Sequence, residues 1–582
     1  METKMVNIKI NGNDYSVPYG TTVLEAARMA NIDIPTLCYL KDINEIGACR
    51  ICLVEVKGAR GPVTACVYPI ERDGTEILTN TPKIRQMRKM NLELLLSNHN
   101  KHCLSCIRST SCELQKLCLD YGVEDTSYAG DMTDTHKDES SVAIVRDNSK
   151  CILCRRCVAA CGKIQGLGII GANNRGFDTE IGCVFEKKLS DTSCVNCGQC
   201  VVACPVGALH EVDDTDKVLA ALADETKHVV VQTAPSVRSA IAEEFGAPIG
   251  TDGEGKMVAA LRRLGFDNVF DTDFAADLTI MEEANEFISR FLKNSGKLPM
   301  ITSCSPGWVK FCEHYYPEMT ENLSSCKSPQ QMFGAVLKTY YAQKMGWDPK
   351  DIVSVSIMPC TAKKFEIGRE DQAAAGVADV DIALTTRELA RLIRMAGIDF
   401  NSLPDEKFDA PLGISTGAGV IFGATGGVME AALRTAVFAL TGKNPEKLDF
   451  TDVRGTDGWK EASYTVAGVT INVAVASGLK NAANLLDAVK SGEKKYHFIE
   501  IMCCPGGCVN GGGQPIVDGN TRMKIDVRAK RASVLYNIDA NMPLRMSHEN
   551  PAIKELYDTF LGEPNSHKAH ELLHTTYVKR GL

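Results

Sequence analysis

Residues 151–161 read CILCRRCVAAC and residues 194–205 read CVNCGQCVVACP, two copies of Cys-x2-Cys-x2-Cys-x3-Cys with Pro205 closing the second. Such spacing suits cubane clusters, because a tight loop brings three thiolates onto one [4Fe-4S] cluster while the fourth reaches its neighbour. That sharing predicts Cys151, Cys154 and Cys157 with Cys204 on one cluster, and Cys194, Cys197 and Cys200 with Cys161 on the other. Zinc is the competing occupant, but zinc sites favour separated pairs of ligands over four cysteines in one short run. The repeat therefore predicts a bacterial-type two-[4Fe-4S] ferredoxin domain over residues 140–215.

N-terminal to it, residues 6–17 alternate polar and apolar around Asn11-Gly12, a hairpin signal, and Thr22 opens a helix with Glu25 in capping-box position. Cys38, Cys49, Cys52 and Cys66 follow, an order that resembles the [2Fe-2S] domain of plant-type ferredoxins over residues 1–80, with a zinc knuckle as the alternative. Lys83–Leu96 reads as an amphipathic helix and leads into His99, Cys103, Cys106 and Cys112, one imidazole and three thiols over residues 81–125. Spacing alone leaves zinc and [4Fe-4S] both open there, and His102 is an equally available nitrogen. The acidic segment YGVEDTSYAGDMTDTHKDESS, residues 121–141, reads as a linker.

The whole chain has 582 residues, room for about four domains of ordinary size. With 44% hydrophobic and 24% charged residues it is globular, and a net charge of −9 without a basic tract excludes a nucleic-acid backbone as partner. The N-terminus lacks an apolar export core, and no run approaches the roughly 18 apolar residues that span a bilayer, so a cytoplasmic protein is expected. In that reducing compartment the 24 cysteines are more plausibly metal ligands than disulfides.

Beyond residue 226, β-rich runs (HVVVQTAP, LPMITSCS, DIVSVSIMPC, HFIEIMCC) alternate with helical segments in an α/β pattern over residues 226–515. Cys304, Cys360 and Cys504 then fall just past strand ends, where open α/β sheets hold their ligands. The tail, 516–582, contains HENPAIKELYDTFLG and AHELLHTTYV, which read as short helices around the main body. The fold class expected is thus multidomain, α+β in the cluster modules and α/β in the large domain. Neither GAGVIFGATGGVME nor GGCVNGGG has a Walker lysine or a G-x-G-x-x-G turn opening a helix, so electrons carried by these clusters must pass to a nucleotide or carrier held by another protein.

Three segments, TSCSPGW (302–308), MPCTAKKFE (358–366) and EIMCCPGGCVNGGG (500–513), resemble the signature loops of iron-only, or [FeFe], hydrogenases. The resemblance spans essentially the whole chain, and its module order is most similar to the catalytic subunit of multimeric NADP-reducing or electron-bifurcating enzymes. It implies one [2Fe-2S] cluster, three accessory [4Fe-4S] clusters and an H-cluster, a [4Fe-4S] cubane joined to a di-iron unit with CO, cyanide and a dithiolate, where protons are reversibly reduced to H2. By motif position Cys360, Cys504 and Cys508 are cubane ligands, with Cys508 the bridge. The family's first loop usually has two adjacent cysteines where this chain has Cys304-Ser305, so motif position puts Cys304 in the proton relay and Ser305 in the fourth ligand place. Because a soft site prefers a thiolate to a hydroxyl, Cys304 is taken as the expected ligand, through a local backbone shift.

The resemblance further implies a relay through Glu283, Ser324, Glu286 and Arg290, and a di-iron surround of Pro235, Ser236, Gln330, Met358, Lys363 and Met502. On residues alone Glu283 and Glu286 are an acidic helix face, and Cys312, Cys326 and Cys503 read as small buried hydrophobes. The partners implied are flavin- and NAD(P)-binding and [2Fe-2S] subunits, possible carriers such as ferredoxin, and the proteins that mature the di-iron unit. Two other readings compete: an electron-wire subunit similar to the large iron–sulfur subunit of respiratory NADH dehydrogenase, which has no use for the three C-terminal loops, and a sensory H2-binding relative, which tends to lose relay residues.

Overall fold

The computed structural model describes residues 4–124, 128, 130–466 and 468–581; within the expected linker, residues 125–127 and 129 lie outside the described residues. Asn11 and Gly12 take φ of 52° and 90°, the left-handed pair that a two-residue hairpin requires, and join antiparallel strands Met5–Ile10 and Asn13–Pro18. Thr22 and Glu25 form the capping box of the helix Val23–Met29. Met5–Ile10 also pairs in parallel with Thr75–Leu78, and the five strands of this module make one sheet. The following helix, Pro82–Ser97, is fixed to that sheet by buried Arg88, which donates to the carbonyls of Leu53 and Thr79 at 2.6 and 2.9 Å.

In the double repeat the chain makes the same turn twice. The residue after the second cysteine of each copy, Arg155 and Gly198, is left-handed (φ 59° and 68°), and each starts a short helix, Arg156–Ala159 and Gln199–Ala203. Strand Ile144–Asp147 pairs antiparallel with Leu209–Glu211 and with Lys137–Asp138, so the ends of the module close on one another.

The α/β pattern of the large domain resolves into two four-stranded sheets. The first is all parallel, in the order Asn268–Asp271, His228–Thr233, Ile352–Met358, Ile382–Thr385. Its strands are largely apolar because both faces are covered: Val229, Val230 and Val231 are all buried, and so are the polar Gln232, Ser354 and Ser356. The second sheet runs Met300–Ile301, Phe498–Met502, Val469–Ser477, Trp459–Val466, parallel except for the last pair. Glu500 lies fully buried in its centre, and its carboxylate accepts from the amides of Gly426 and Met429 at 2.6 and 2.8 Å at the start of the helix Gly427–Thr441. That contact sets the strand leading to Cys504 against its covering helix.

Helix Thr272–Lys293 follows the first sheet's edge strand directly. The tail supplies the two short helices expected, Pro551–Leu556 and His567–Leu573, and adds a longer one, Val527–Asn541. From the latter, buried Arg531 pairs with Glu243 and donates to the carbonyls of Val509 and Pro515, holding the glycine-rich third loop in place.

The ferredoxin module meets the large domain through side-chain to backbone contacts: Thr361 to the Asn196 carbonyl at 2.6 Å, Gln199 to Asn510 at 2.9 Å, and Gln165 to Cys503 at 3.1 Å. At the centre of this seam two glycines touch, and a Cβ on Gly512 would stand 2.3 Å from the Cys197 carbonyl oxygen and 2.6 Å from the Gly198 Cα. Gly512→Ala should therefore wedge the two modules apart at a cost of about 1–3 kcal/mol, seen as a lower melting temperature. An unchanged melt would contradict this close approach.

Candidate metal centres and proton path

All 24 cysteines are free thiols, and most are gathered into groups. In the first module the sulfurs of Cys52 and Cys66 are 3.3 Å apart, while the amides of Cys38 and Cys49 each donate to the other's sulfur at 3.4 Å. The next module offers His99, whose Nδ1 is buried without a hydrogen-bond partner and whose imidazole burial lowers to about 4, leaving it neutral as a ligand must be. Cys106 closes against Gly207, where a Cβ would meet its sulfur at 2.6 Å, and burial raises the Cys112 thiol. Cys103 and Cys112 are also neighbours of Cys118, a buried thiol that the sequence reading did not single out.

The double repeat forms two separate cavities. Cys151, Cys154, Cys157 and Cys204 line one; Cys161, Cys194, Cys197 and Cys200 line the other. Burial pushes the Cys151 and Cys194 thiols up to about 12, so that at neutral pH they become thiolates only where a metal displaces the proton. Buried, soft and otherwise un-ionised donors of this kind fit iron–sulfur clusters.

In the large domain strands of both sheets and the loops after them converge on a single pocket. Cys360 lies two residues past Met358, Cys504 two past Met502, and Cys304 three past Ile301. Cys304, Ser305, Cys360, Cys504 and Cys508 all line the pocket, together with Pro235, Ser236, Gln330, Met358, Lys363 and Met502. Residues from five separate stretches of chain thus meet at one place. The third loop reaches it through Gly507, at φ 91°, whose Cβ would stand 2.6 Å from the Thr425 amide nitrogen.

Lys363 donates to Ser328 and to Glu366, both at 2.8 Å, and to the Cys304 carbonyl at 3.3 Å. Gln330 donates to the same Glu366 carboxylate at 2.9 Å. The Ser236 hydroxyl is buried and has no partner, an orphaned donor beside the pocket.

Cys304 and Ser305 part company here. Cys304 packs on the side of Met502 and Cys508, and its thiol is raised by burial and then by the Glu283 charge. Ser305 caps the helix Pro306–Tyr315 from the other side, where its hydroxyl oxygen accepts the Cys503 amide at 3.2 Å. Cys304 and Ser305 thus face different sides of the pocket.

Outward from Cys304 runs a file of acids. Glu283 is buried in the helix Thr272–Lys293, and burial, with the Glu286 charge second, raises its carboxyl to about 8. Ser324 donates to Glu286 at 2.9 Å, and Glu286 pairs with Arg290 at 2.5 Å. Arg290 is held in turn by the Leu323 carbonyl at 2.8 Å. The sequence reading missed what closes this file from outside: Glu282 is fully buried and accepts from Tyr557, from the Asn565 amide and from His574, all in the tail. Tyr577 donates to the Ser324 carbonyl. No motif marked these tail residues; only the side of the helix on which Glu282 lies could have suggested a partner.

Comparison with known proteins places each region in turn. Residues 227–512 match the model of the C-terminal domain of the iron-only hydrogenase large subunit, and 525–580 the iron hydrogenase small subunit. Residues 3–82 match a 2Fe-2S iron–sulfur cluster binding domain, 88–127 the NADH-ubiquinone oxidoreductase-G iron–sulfur binding region, and 141–210 the ferredoxin-like domain of NADH-quinone oxidoreductase subunit 3. The chain is 51% identical to the NADP-reducing hydrogenase subunit HndD of Solidesulfovibrio fructosivorans, over 99% of each chain. It is 47% identical to iron hydrogenase 1 of Clostridium pasteurianum, over 99% of this chain and 100% of that one. A solved apo [FeFe]-hydrogenase HydA1 from Chlamydomonas reinhardtii superposes with a TM-score of 0.57 at 46% identity, covering 64% of this chain and 100% of that one.

The respiratory modules are therefore shared, as the wire-subunit reading required, but they precede a hydrogenase domain and tail, and neither that reading nor the sensory one is favoured. With two hydrogenases matching it from end to end, the chain belongs to the [FeFe], or iron-only, hydrogenase family, as a catalytic subunit with accessory iron–sulfur domains.

Proposed function

We propose that the chain interconverts 2H+ + 2e− and H2 at the pocket between its three loops, and exchanges the electrons through its accessory clusters with flavin- and NAD(P)-binding and [2Fe-2S] partner subunits, with ferredoxin as a further carrier. The observation that carries this reading is the pocket itself, where the cysteines of all three loops meet the lysine, serine and methionines that surround them. The H-cluster, when bound, supplies the iron at which protons and H2 interconvert.

The chain's own residues do the rest. Cys360, Cys504 and Cys508 would hold the cubane, with Cys508 also serving the di-iron unit. Lys363 offers a charged donor to a cyanide and Ser236 a neutral one, while Pro235, Gln330, Met358 and Met502 wall the site. Cys304 gives and takes a proton at its sulfur, Glu283 at its carboxyl oxygen, and Ser324 passes it to Glu286, with Arg290 positioning Glu286 at the outer end.

The accessory complement is one [2Fe-2S] cluster on Cys38, Cys49, Cys52 and Cys66, one [4Fe-4S] cluster on His99, Cys103, Cys106 and Cys112, and two on the crossed sets of the repeat. The working divisions are 1–80, 81–125, 140–215, 226–515 and 516–582. HndD is described as an NADP-reducing hydrogenase subunit, which supports a nicotinamide acceptor and a hetero-oligomer here. The free thiols suit the cytoplasm, and among the described residues no helix is long and apolar enough to cross a membrane.

Two outcomes are expected. Protein co-produced with di-iron maturation proteins and purified without oxygen evolves H2 from reduced viologen and holds about 20 iron atoms per chain. About 14 iron atoms with no H2 would mark an electron wire instead.

The second concerns pH. With its carboxyl raised to about 8, Glu283 is a proton donor below that pH and an acceptor above it. H2 evolution therefore holds to about pH 8 and then falls, whereas H2 oxidation gains as Glu283 ionises. Glu283→Gln removes this dependence and lowers turnover by about 10²-fold or more with the iron count intact. Unchanged turnover would remove Glu283 from the path.

A further inference from the structure

A [4Fe-4S] cluster takes four ligands, thiolates by strong preference, and the reading of the pocket given above, on which this inference rests, assigns three. Three side chains remain for the fourth corner: Cys304, Ser305 and Cys503, all of which line the pocket. They lie on two sides. Cys304 is on the Glu283 side, packed with Met502 and Cys508, where it serves the proton path.

Ser305 and Cys503 are together on the side that faces the ferredoxin module. The Cys503 amide donates to the Ser305 hydroxyl oxygen at 3.2 Å. A Cβ on Gly307 would meet the Cys503 sulfur at 2.7 Å, so the absence of a side chain at that residue is what leaves room for the thiol. Cys503 packs in one buried cluster with Cys197, lines the pocket beside Cys504, and is shut off from solvent at 4% exposure.

Chemistry separates the two candidates. A serine hydroxyl ionises at far higher pH than a thiol and yields a hard oxygen donor, whereas iron in a sulfide cluster favours soft sulfur. We propose that Cys503, not Ser305, supplies the fourth thiolate to the cubane of the catalytic pocket, leaving the Ser305 hydroxyl as the acceptor that holds the Cys503 backbone. The step is a substitution: the S–H bond of Cys503 breaks, an Fe–S bond forms, the proton leaves to solvent and no electrons move. The arrangement has a consequence for electron entry. The new ligand lies beside Cys197, which lines the nearer ferredoxin cavity, so cubane and wire meet at neighbouring cysteines.

The test uses the full chain produced without di-iron maturation, so that the readout is the cubane and not turnover. Cys503→Ala should lose about four iron atoms per chain and one [4Fe-4S] signal in the electron paramagnetic resonance spectrum, with the other cluster signals intact. Ser305→Cys placed in the same chain should restore both, and Ser305→Ala alone should change neither.

Full iron in Cys503→Ala would overturn the proposal, as would loss of about four iron atoms in Ser305→Ala, which gives the corner to the serine. A Cys503→Ala protein with full iron but a shifted ferredoxin-cluster potential would overturn it too, making the thiol a hydrogen-bond donor to Cys197. Cys360→Ala controls for the underlying reading. If it also keeps all its iron, the pocket holds no cubane; if it loses about four iron atoms while Cys503→Ala does not, only the present proposal fails. Should Cys503→Ala not fold, the double variant decides, because restored folding without restored iron contradicts ligation.

Discussion

A buried thiol is a poor acid, and that single fact organises this molecule. Desolvation holds the Cys151, Cys194 and Cys508 sulfurs near 12, each in a cavity with other cysteines, and outweighs the nearby cations Arg146, Lys310 and Lys363. Such groups are tolerable in a core while neutral, and become anions only when a metal takes the proton's place. In these cavities ionising the thiol and binding a metal are therefore coupled. The hydrogen bonds that frame the cavities, such as those from the Cys38 and Cys49 amides, are arranged for sulfur acceptors. The catalytic pocket extends the same principle to loops far apart in sequence, which two sheets bring to one point.

Around that point the charged residues are held in pairs or aimed at backbone. Glu500 fixes a strand through two amides, Arg531 clamps the third loop, and Lys363 shares Glu366 with Gln330 and Ser328. Glu283 is the exception: burial without a strong cation keeps its carboxyl protonated through neutral pH, which is what a proton donor requires. The tail completes this arrangement. Its Tyr557, Asn565 and His574 satisfy Glu282, so that this carboxyl has three donors from the tail while its neighbour Glu283 is raised by burial.

Much of this was legible in the sequence. Asn11-Gly12, the capping box at Thr22 and the Cys-x2-Cys spacing are local signals, fixed by φ preference and by the reach of one loop, and the structure displays each as read. The cysteines past strand ends were legible for the same reason, since nearly continuous short apolar runs mark strands buried on both faces. What stayed hidden is what depends on distant parts of the chain. The division into two sheets turns on pairings such as Met300 with Phe498, and the helix Val527–Asn541 packs Ala532 and Leu535 on a small separate core with Val420, Ala424 and Val509. Cys503 looked like one more small buried residue. Only its amide contact to Ser305 and its place beside Cys504 and Cys197 give it a role.

The central claim is that three loops of this chain build a hydrogen-activating iron centre, and infrared spectroscopy of the matured, anaerobic protein tests it most directly. The account predicts carbonyl and cyanide stretching bands that change reversibly when H2 replaces an inert gas. Protein that carries its full complement of iron and accessory clusters yet shows no such bands, or bands indifferent to H2, would contradict it.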